Sequence, residues 1–426
     1  MRAQLRRLPP LLAATMLLAT GCAALDPQDD GPNTLVIHTQ ISGTAPGAEV
    51  FNAVVADFRR QHPEMHVKVV SNADDLPQVY ETSRLAGKEA DVVIVNLFDK
   101  TLEWTGVGAT VPVGKYADAW GLRDRIEPEA VKQWTDGKGR LRGLPYIGTN
   151  WPVAYNMAVL RKAGVAEPPA TTGELLDAAK KVKDKGGIAV TIGGSDWTGQ
   201  KLLLQILQSY LPPEEGPKLF TEGDYCGSPA AMKGLKLFTE LRDAGVFAEN
   251  AQGLTSDTMT TQYNTGQAAA MSAMSSALGK VPEKTVKDTV VSGWPVPKDG
   301  VHDHPTMIRS FTAAGLWLSP NGAKKLPLVK KFVQYMYSEK VVDRFITEAG
   351  RDMAVRSGTV PKDFPLIAAA RKAAEDKAVD KVMLPDVHIP GAATQPLINA
   401  TAQAFAPGRT PQQICRAMSA AYERTN

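Results

Sequence analysis

Asp91 to Val95 reads Asp-Val-Val-Ile-Val, a run so short and so uniformly apolar that it fits a strand covered on both faces, as the strands of parallel sheets are. It has company on the N-terminal side. Thr34 to His38 (Thr-Leu-Val-Ile-His) is a β-branched run that predicts a first strand. Between Glu49 and Gln61 the residues Val50, Phe51, Val54, Val55 and Phe58 recur at helical spacing, and Pro63 ends that helix. Met65 to Val70 then predicts a second strand. Strand, helix, strand, helix, strand is the alternation of an open α/β lobe. Ligands of such sheets lie beyond the carboxyl ends of the strands. That places His38-Thr39-Gln40 and Asn96-Leu97-Phe98-Asp99 at one mouth, with Gln40, Asn96 and Asp99 as candidate ligand-binding side chains.

The first residues carry a different message. Arg2, Arg6 and Arg7 precede an apolar run from Leu8 to Ala19, and Thr20-Gly21-Cys22 follows. Positive charge, a short apolar segment and small residues make a secretory signal, too short to span a bilayer as a stable helix. Leu18-Ala19-Thr20-Gly21-Cys22 resembles a bacterial lipobox, which implies lipid on Cys22 and anchoring outside the cytoplasmic membrane. Ala19 stands where the lipobox usually has Leu. The alternative is a plain secreted protein cut near Ala23. Residues 22–33, rich in Asp, Pro and Gly, read as a flexible tether.

With residues 1–21 removed, three of the 48 basic residues go and none of the 45 acidic ones, so the mature chain is formally neutral. A neutral chain has no electrostatic footprint for nucleic acid. Its 405 residues exceed what one core usually organises, and two lobes are expected. Cys226 and Cys415 are the two cysteines left, and in an oxidising exterior they are expected to pair, two buried thiols being the alternative. No metal or redox cysteine motif is present, and no cofactor is expected.

A series of short pieces runs through the chain in order. It begins with Leu35 to His38, Val55-Ala56-Asp57-Phe58, His62-Pro63-Glu64, Val67 to Val70 and Ala90 to Val93. It continues with Gly143-Leu144-Pro145-Tyr146, Ala154-Tyr155-Asn156-Met157, Lys162-Ala163-Gly164 and Pro168 to Leu175. It closes with Tyr263 to Met271, Gly350-Arg351 and Ala354-Val355-Arg356. In this order they resemble the extracellular substrate-binding proteins of ABC importers, and most their carbohydrate-binding branch (family 1, maltose-binding-protein-like). The resemblance implies a two-lobed, type II periplasmic-binding-protein-like α/β fold. Each lobe is then a mixed sheet flanked by helices, with a hinge between lobes and chain crossings near Tyr146 to Trp151, Asn264 to Gln267 and Met307 to Phe311. The expected partition is 34–148 plus 265–308 for the N-terminal lobe and 149–264 plus 309–426 for the C-terminal lobe. It also implies a monomer that takes a small-molecule ligand, most often a saccharide, and hands it to permease subunits in the membrane.

Local chemistry adds detail. Pro168-Pro169 forces an extended arm, and Thr171 or Thr172 suits the cap of a helix with Glu174 in its first turn. Leu202 to Tyr210 and Ala230 to Ala244 read as scaffold helices. Sugars stack on aromatic faces while their hydroxyls need polar partners, so tryptophan near a mouth is the residue to seek. Trp151, beside Asn150 at the first crossing, is a stacking candidate. Trp197 follows Gly193-Gly194-Ser195-Asp196, where Asp196 either accepts sugar hydroxyls or caps a helix. Trp294 either enters the cleft or seals a lobe, and Trp104, Trp120, Trp134 and Trp317 lean to packing. Where many sugar binders of this family have Gly-Pro-Trp, this chain has Ser275-Ser276-Ala277, trading a stacking platform for two hydroxyls. Gly350 to Arg356 resembles a turn facing the cleft, where Arg351 and Asp352 either bind ligand or pair with each other.

An enzyme is the rival class. A glycoside hydrolase needs two carboxylates at a set separation, and no local motif selects a pair. No Gly-x-Ser-x-Gly, P-loop or His-Glu-x-x-His occurs. His302-Asp303-His304 is a conceivable metal contact but reads as loop chemistry. A lipoprotein adaptor that shows its cleft to a sensor is the third class.

Overall fold

The alternation read from the sequence forms in the computed structural model, which describes residues 31–43 and 47–423. The leader and Cys22, with its lipidation expectation, lie outside the described residues. Eleven strands are described: β1 Thr34–Thr39, β2 His66–Ser71, β3 Val92–Val95, β4 Leu144–Trp151, β5 Val153–Asn156 and β6 Ile188–Thr191. After them come β7 Ala268–Ser272, β8 Thr289–Ser292, β9 Thr306–Leu318, β10 Asp352–Met353 and β11 Asp380–Val382. The first sheet has the order β10-β4-β9-β3-β1-β2, with β11 added beside β9. The second has the order β6-β7-β5-β8.

Local sequence shapes the individual elements. Strand β3 is buried along its whole length between parallel β1 and antiparallel β9. The carboxylate of Asp91, just before it, accepts from the Val36 N–H at 2.8 Å and from Lys325 Nζ at 3.1 Å, which makes its burial tolerable. The helix Ala48–Gln61 buries Val50, Phe51, Val54, Val55 and Phe58 on one face. The helix Thr172–Lys183 begins with a capping box: Glu174 N–H donates to Thr171 Oγ1, and the Glu174 carboxylate accepts from the Thr171 N–H.

Two main apolar cores result. One gathers Leu35 to Ile147 and Phe311 to Val355, including Trp104, Trp134 and Trp317; the other gathers Val153 to Trp294 and Leu366 to Tyr422. A small separate cluster of Trp151, Ile308, Val382 and Leu384 lies where the chain passes from one to the other. The lobe boundaries differ from the expected partition. Strands β7 and β8, expected in the first lobe, belong to the second sheet, whereas β9 and the helices Leu326–Met336 and Glu339–Ala349 belong to the first lobe. The turn at Thr265-Gly266 explains the difference. Gly266, at φ 74°, ends the helix Ser256–Asn264, and the small residues of Ala268–Ser272 then slot between β6 and β5 of the same sheet. Crossings occur at Pro152 between β4 and β5, between β8 and β9, and again after Val355.

Cys226, in the turn before the helix Pro229–Asp243, is bonded to Cys415 in the helix Pro411–Ala420, with the two Cα atoms 5.1 Å apart. Among the described residues no helix is long and apolar enough to cross a membrane, and no group of three or more His, Cys, Asp or Glu is placed to hold a metal ion. His302-Asp303-His304 instead wraps Asp380, whose carboxylate accepts from two backbone N–H groups and faces His304 Nδ1 at 3.4 Å.

Candidate ligand-binding site

The carboxyl ends of β1 and β3 lie side by side, as the sheet order requires, and their polar residues are bonded to each other. Gln40 Nε2 donates to the Ala313 carbonyl at 2.9 Å, and its Oε1 accepts from Asn96 Nδ2 at 3.0 Å. Phe98 is exposed beside them. Asp99 adopts φ 55°, and burial raises its carboxyl above the ordinary range, Lys100 partly offsetting this. Its Oδ1 stands where a side chain on Gly391 would be, 2.8 Å from the ideal Cβ position. Gly391 opens the helix Gly391–Ala404 of the second lobe, so Asp99 marks a contact between lobes.

The crossing itself is polar. Ser275 Oγ donates to Asp352 Oδ2 at 2.8 Å, and Asn150 Nδ2 donates to the same oxygen at 3.2 Å. The Asn150 N–H reaches Ser275 Oγ at 3.3 Å, and Arg371 Nε lies 3.7 Å from Asp352 Oδ1. Burial raises the Asp352 carboxyl, against the pull of the Ser275 hydroxyl and of Arg371 and Arg351; burial likewise lowers the Arg351 guanidinium. Asn150, Ser275 and Asp352, three candidate ligand contacts, are thus engaged with one another across the joint. Ser276 is half-buried next to them. Arg351 leaves its Nε without a hydrogen-bond partner.

Trp151 and Trp197 come together. Their ring centroids are 5.4 Å apart at 84°, an edge-to-face pair. Trp151 is 5% exposed and Trp197 38%, so the pair runs from the buried crossing to solvent. Asp196 takes the capping role. Its Oδ1 accepts from Thr198 N–H at 2.9 Å and its Oδ2 from Ser256 N–H at 2.7 Å, which leaves little for a ligand. Trp294 seals the second lobe rather than facing the cleft: it is fully buried, stacked at 16° on Phe247, with its backbone paired to Thr306.

The sequence reading missed the polar residues beneath the tryptophans. In the helix Trp197–Gln208 the side chains of Gln200, Lys201, Gln205 and Gln208 are buried along with the leucines. Lys201 Nζ lies 2.5 Å from Asp386 Oδ1, 3.1 Å from Gln200 Oε1 and 6.0 Å from the Trp151 ring centroid. The sequence signal is weak: Gln200, Lys201, Gln205 and Gln208 interrupt the apolar run as a solvated face would, and only the packing shows that they are buried and need partners inside. Across the seam, His388 is held low by burial and secondarily by the cationic Arg142 of the first lobe.

Residues 43–343 match the family described as bacterial extracellular solute-binding protein. The chain belongs to this family. A crystal structure described as that of a probable secreted solute-binding lipoprotein from Streptomyces coelicolor is 53% identical, covers 93% of this chain and 100% of its own, and superposes with a TM-score of 0.87. A chitin oligosaccharide binding protein, 19% identical over 92% of this chain and 98% of its own, shares the fold with a TM-score of 0.78. The melibiose/raffinose/stachyose-binding protein MelE of Bacillus subtilis is 26% identical over 181 residues, 41% of this chain and 39% of MelE. The chain spans 39% to 55% of the length of the curated relatives it matches. As a member of the family, it is an extracytoplasmic solute-binding protein.

Proposed function

We propose that this solute-binding protein captures a saccharide between its lobes, without chemical turnover, and delivers it to the permease subunits of an ABC importer. It acts as a monomer held to the outer face of the cell membrane through lipid on Cys22. The observation that carries the reading is the Trp151–Trp197 pair, set where the chain crosses between lobes and open to solvent at Trp197. An aromatic face meets the C–H face of a sugar ring, and polar groups at its edge meet the hydroxyls. MelE and the chitin-oligosaccharide binder, both named for saccharides, support the ligand class.

Binding between two lobes drives closure only in so far as the ligand contacts both. The test is a thermal-shift screen of the mature protein against neutral and charged saccharides, amino acids, oligopeptides and polyamines. A bound ligand at a thousandfold excess over Kd is expected to add about 4 kcal/mol of stability. Small-angle scattering at saturation should show compaction. A shift produced only by a non-sugar solute overturns the ligand class, and unchanged scattering with bound ligand overturns closure.

A further inference from the structure

The polar stripe of the helix Trp197–Gln208 has uneven partners. Gln208 and Met383 exchange bonds, Nε2 donating to the carbonyl and Oε1 accepting from the N–H, each at 3.1 Å. Gln205 Nε2 donates to the Thr306 carbonyl at 2.9 Å, with its Oε1 left unpaired. Gln200 is arranged differently. Its Oε1 accepts from Lys201, but its Nε2 is fully buried and has no partner. Two more unpaired groups belong to neighbours of the same ammonium: Asp386 Oδ2, on the carboxylate that Lys201 pairs with through Oδ1, and Nε1 of Trp151, whose ring centroid is 6.0 Å from Lys201 Nζ. Native interiors rarely leave three such groups unsatisfied in one place unless something else meets them.

We propose that Gln200, Lys201 and Asp386, with Trp151 and Trp197, form a subsite for an uncharged, hydroxyl-bearing sugar ring. This rests on the saccharide reading above and narrows it. The unpaired groups are mixed: two donors, Gln200 Nε2 and Trp151 Nε1, and one acceptor, Asp386 Oδ2. A hydroxyl both donates and accepts, so neighbouring hydroxyls on one ring satisfy such a set, whereas a carboxylate only accepts and an ammonium only donates. Charge points the same way. Lys201 and Asp386 neutralise each other, with side chains only 6% and 12% exposed. A uronic acid brought to this place meets the free oxygen of Asp386, and an amino sugar meets the Lys201 ammonium. Neither finds an unpaired counter-charge, and each gives up its hydration to enter. The half-exposed Trp197 ring is the side from which the sugar enters, and the buried Trp151 edge is the floor.

The test uses the mature protein and isothermal titration with maltotriose, raffinose and chitotriose, against trigalacturonate and the glucosamine trimer as charged probes. Gln200→Leu removes the unpaired amide, and Trp151→Phe removes the Nε1 donor while keeping a ring. A neutral trisaccharide is expected to bind, and the charged trimers at least tenfold more weakly. Gln200→Leu should lower affinity tenfold or more with the Tm of the ligand-free protein little changed, because loss of the unsatisfied Nε2 offsets loss of the Oε1 bond to Lys201. Trp151→Phe should weaken binding in the same direction. Lowered Tm with retained affinity in Gln200→Leu makes Gln200 structural and overturns the subsite, as does a charged trimer that binds equally well. A saccharide bound equally by native protein and both variants overturns the subsite alone. Failure of every saccharide to bind native protein overturns the ligand class and the subsite with it.

Discussion

Trp197 and Trp151 touch, yet substituting them asks different questions. Trp197 is half-exposed at the first turn of its helix, so Trp197→Ala is expected to weaken saccharide binding tenfold or more and to change Tm little. Calorimetric titration beside a thermal melt separates the two quantities. Trp151→Ala also empties a buried site, at about 3–5 kcal/mol, and confounds recognition with stability. His38 carries the pH prediction. It is buried, its Nδ1 has no partner, and burial lowers its pKa below the ordinary value. The native state therefore resists a proton that the unfolded chain accepts. Its stability contribution is full above the unfolded value near 6.5 and is lost as pH falls from there through the folded value. Melts between pH 7.5 and 5 should show Tm falling in the native protein and falling less in His38→Asn. Equal slopes would remove His38 as a cause.

At the scale of elements, the start of the helix Gly391–Ala404 packs closely against Asp99 of the other lobe. A Cβ on Gly391 meets Asp99 Oδ1 at 2.8 Å and the Asp99 carbonyl carbon at 3.2 Å. Gly391→Val should therefore wedge the lobes apart, weakening ligand affinity by about tenfold while leaving the ligand-free Tm unchanged, with ligand-induced compaction in small-angle scattering reduced. Full compaction would show that the contact yields. The individual elements were legible because their signals are local: the β-branched runs at Thr34 and Val92, the period of Val50 to Phe58, the Thr171/Glu174 cap. Membership of a sheet is not local. Gly266 announces a turn in the sequence, but whether the chain then changes lobe depends on which strand lies free to receive Ala268–Ser272. The same limit hid the site. Asn150, Ser275 and Asp352 are far apart in sequence, and only their convergence shows that they satisfy each other. Gln200 and Lys201 precede the Leu202 to Tyr210 stretch read as a scaffold helix, and only the packing shows that they are buried with it.

In the whole molecule, two lobes with separate cores are joined by strands that continue through the joint, so the closure proposed for ligand capture is expected to bend β4 and β9 near Trp151 and Ile308 while each core stays packed. The disulfide stiffens only one of the two halves. Cys226 and Cys415 both belong to the second lobe and are 189 residues apart in sequence. The chain-entropy model gives about 5 kcal/mol for a loop of that length, with 2–4 typical of measured cases. Cys226→Ser/Cys415→Ser should lower Tm, and the same loss should appear on reducing the native protein under mild denaturation, with ligand affinity at 25 °C kept. An unchanged Tm would mean that the helix Pro411–Ala420 is held by its apolar face alone. The position of that bond also sets an order of events during export. Its second sulfur follows the first by 189 residues, so the lobe cannot be locked until that further length of polypeptide has crossed into an oxidising space. A chain stalled between the two cysteines carries Cys226 without its mate, open to the wrong partner, and the finished bond records that the helix bearing Cys415 has arrived.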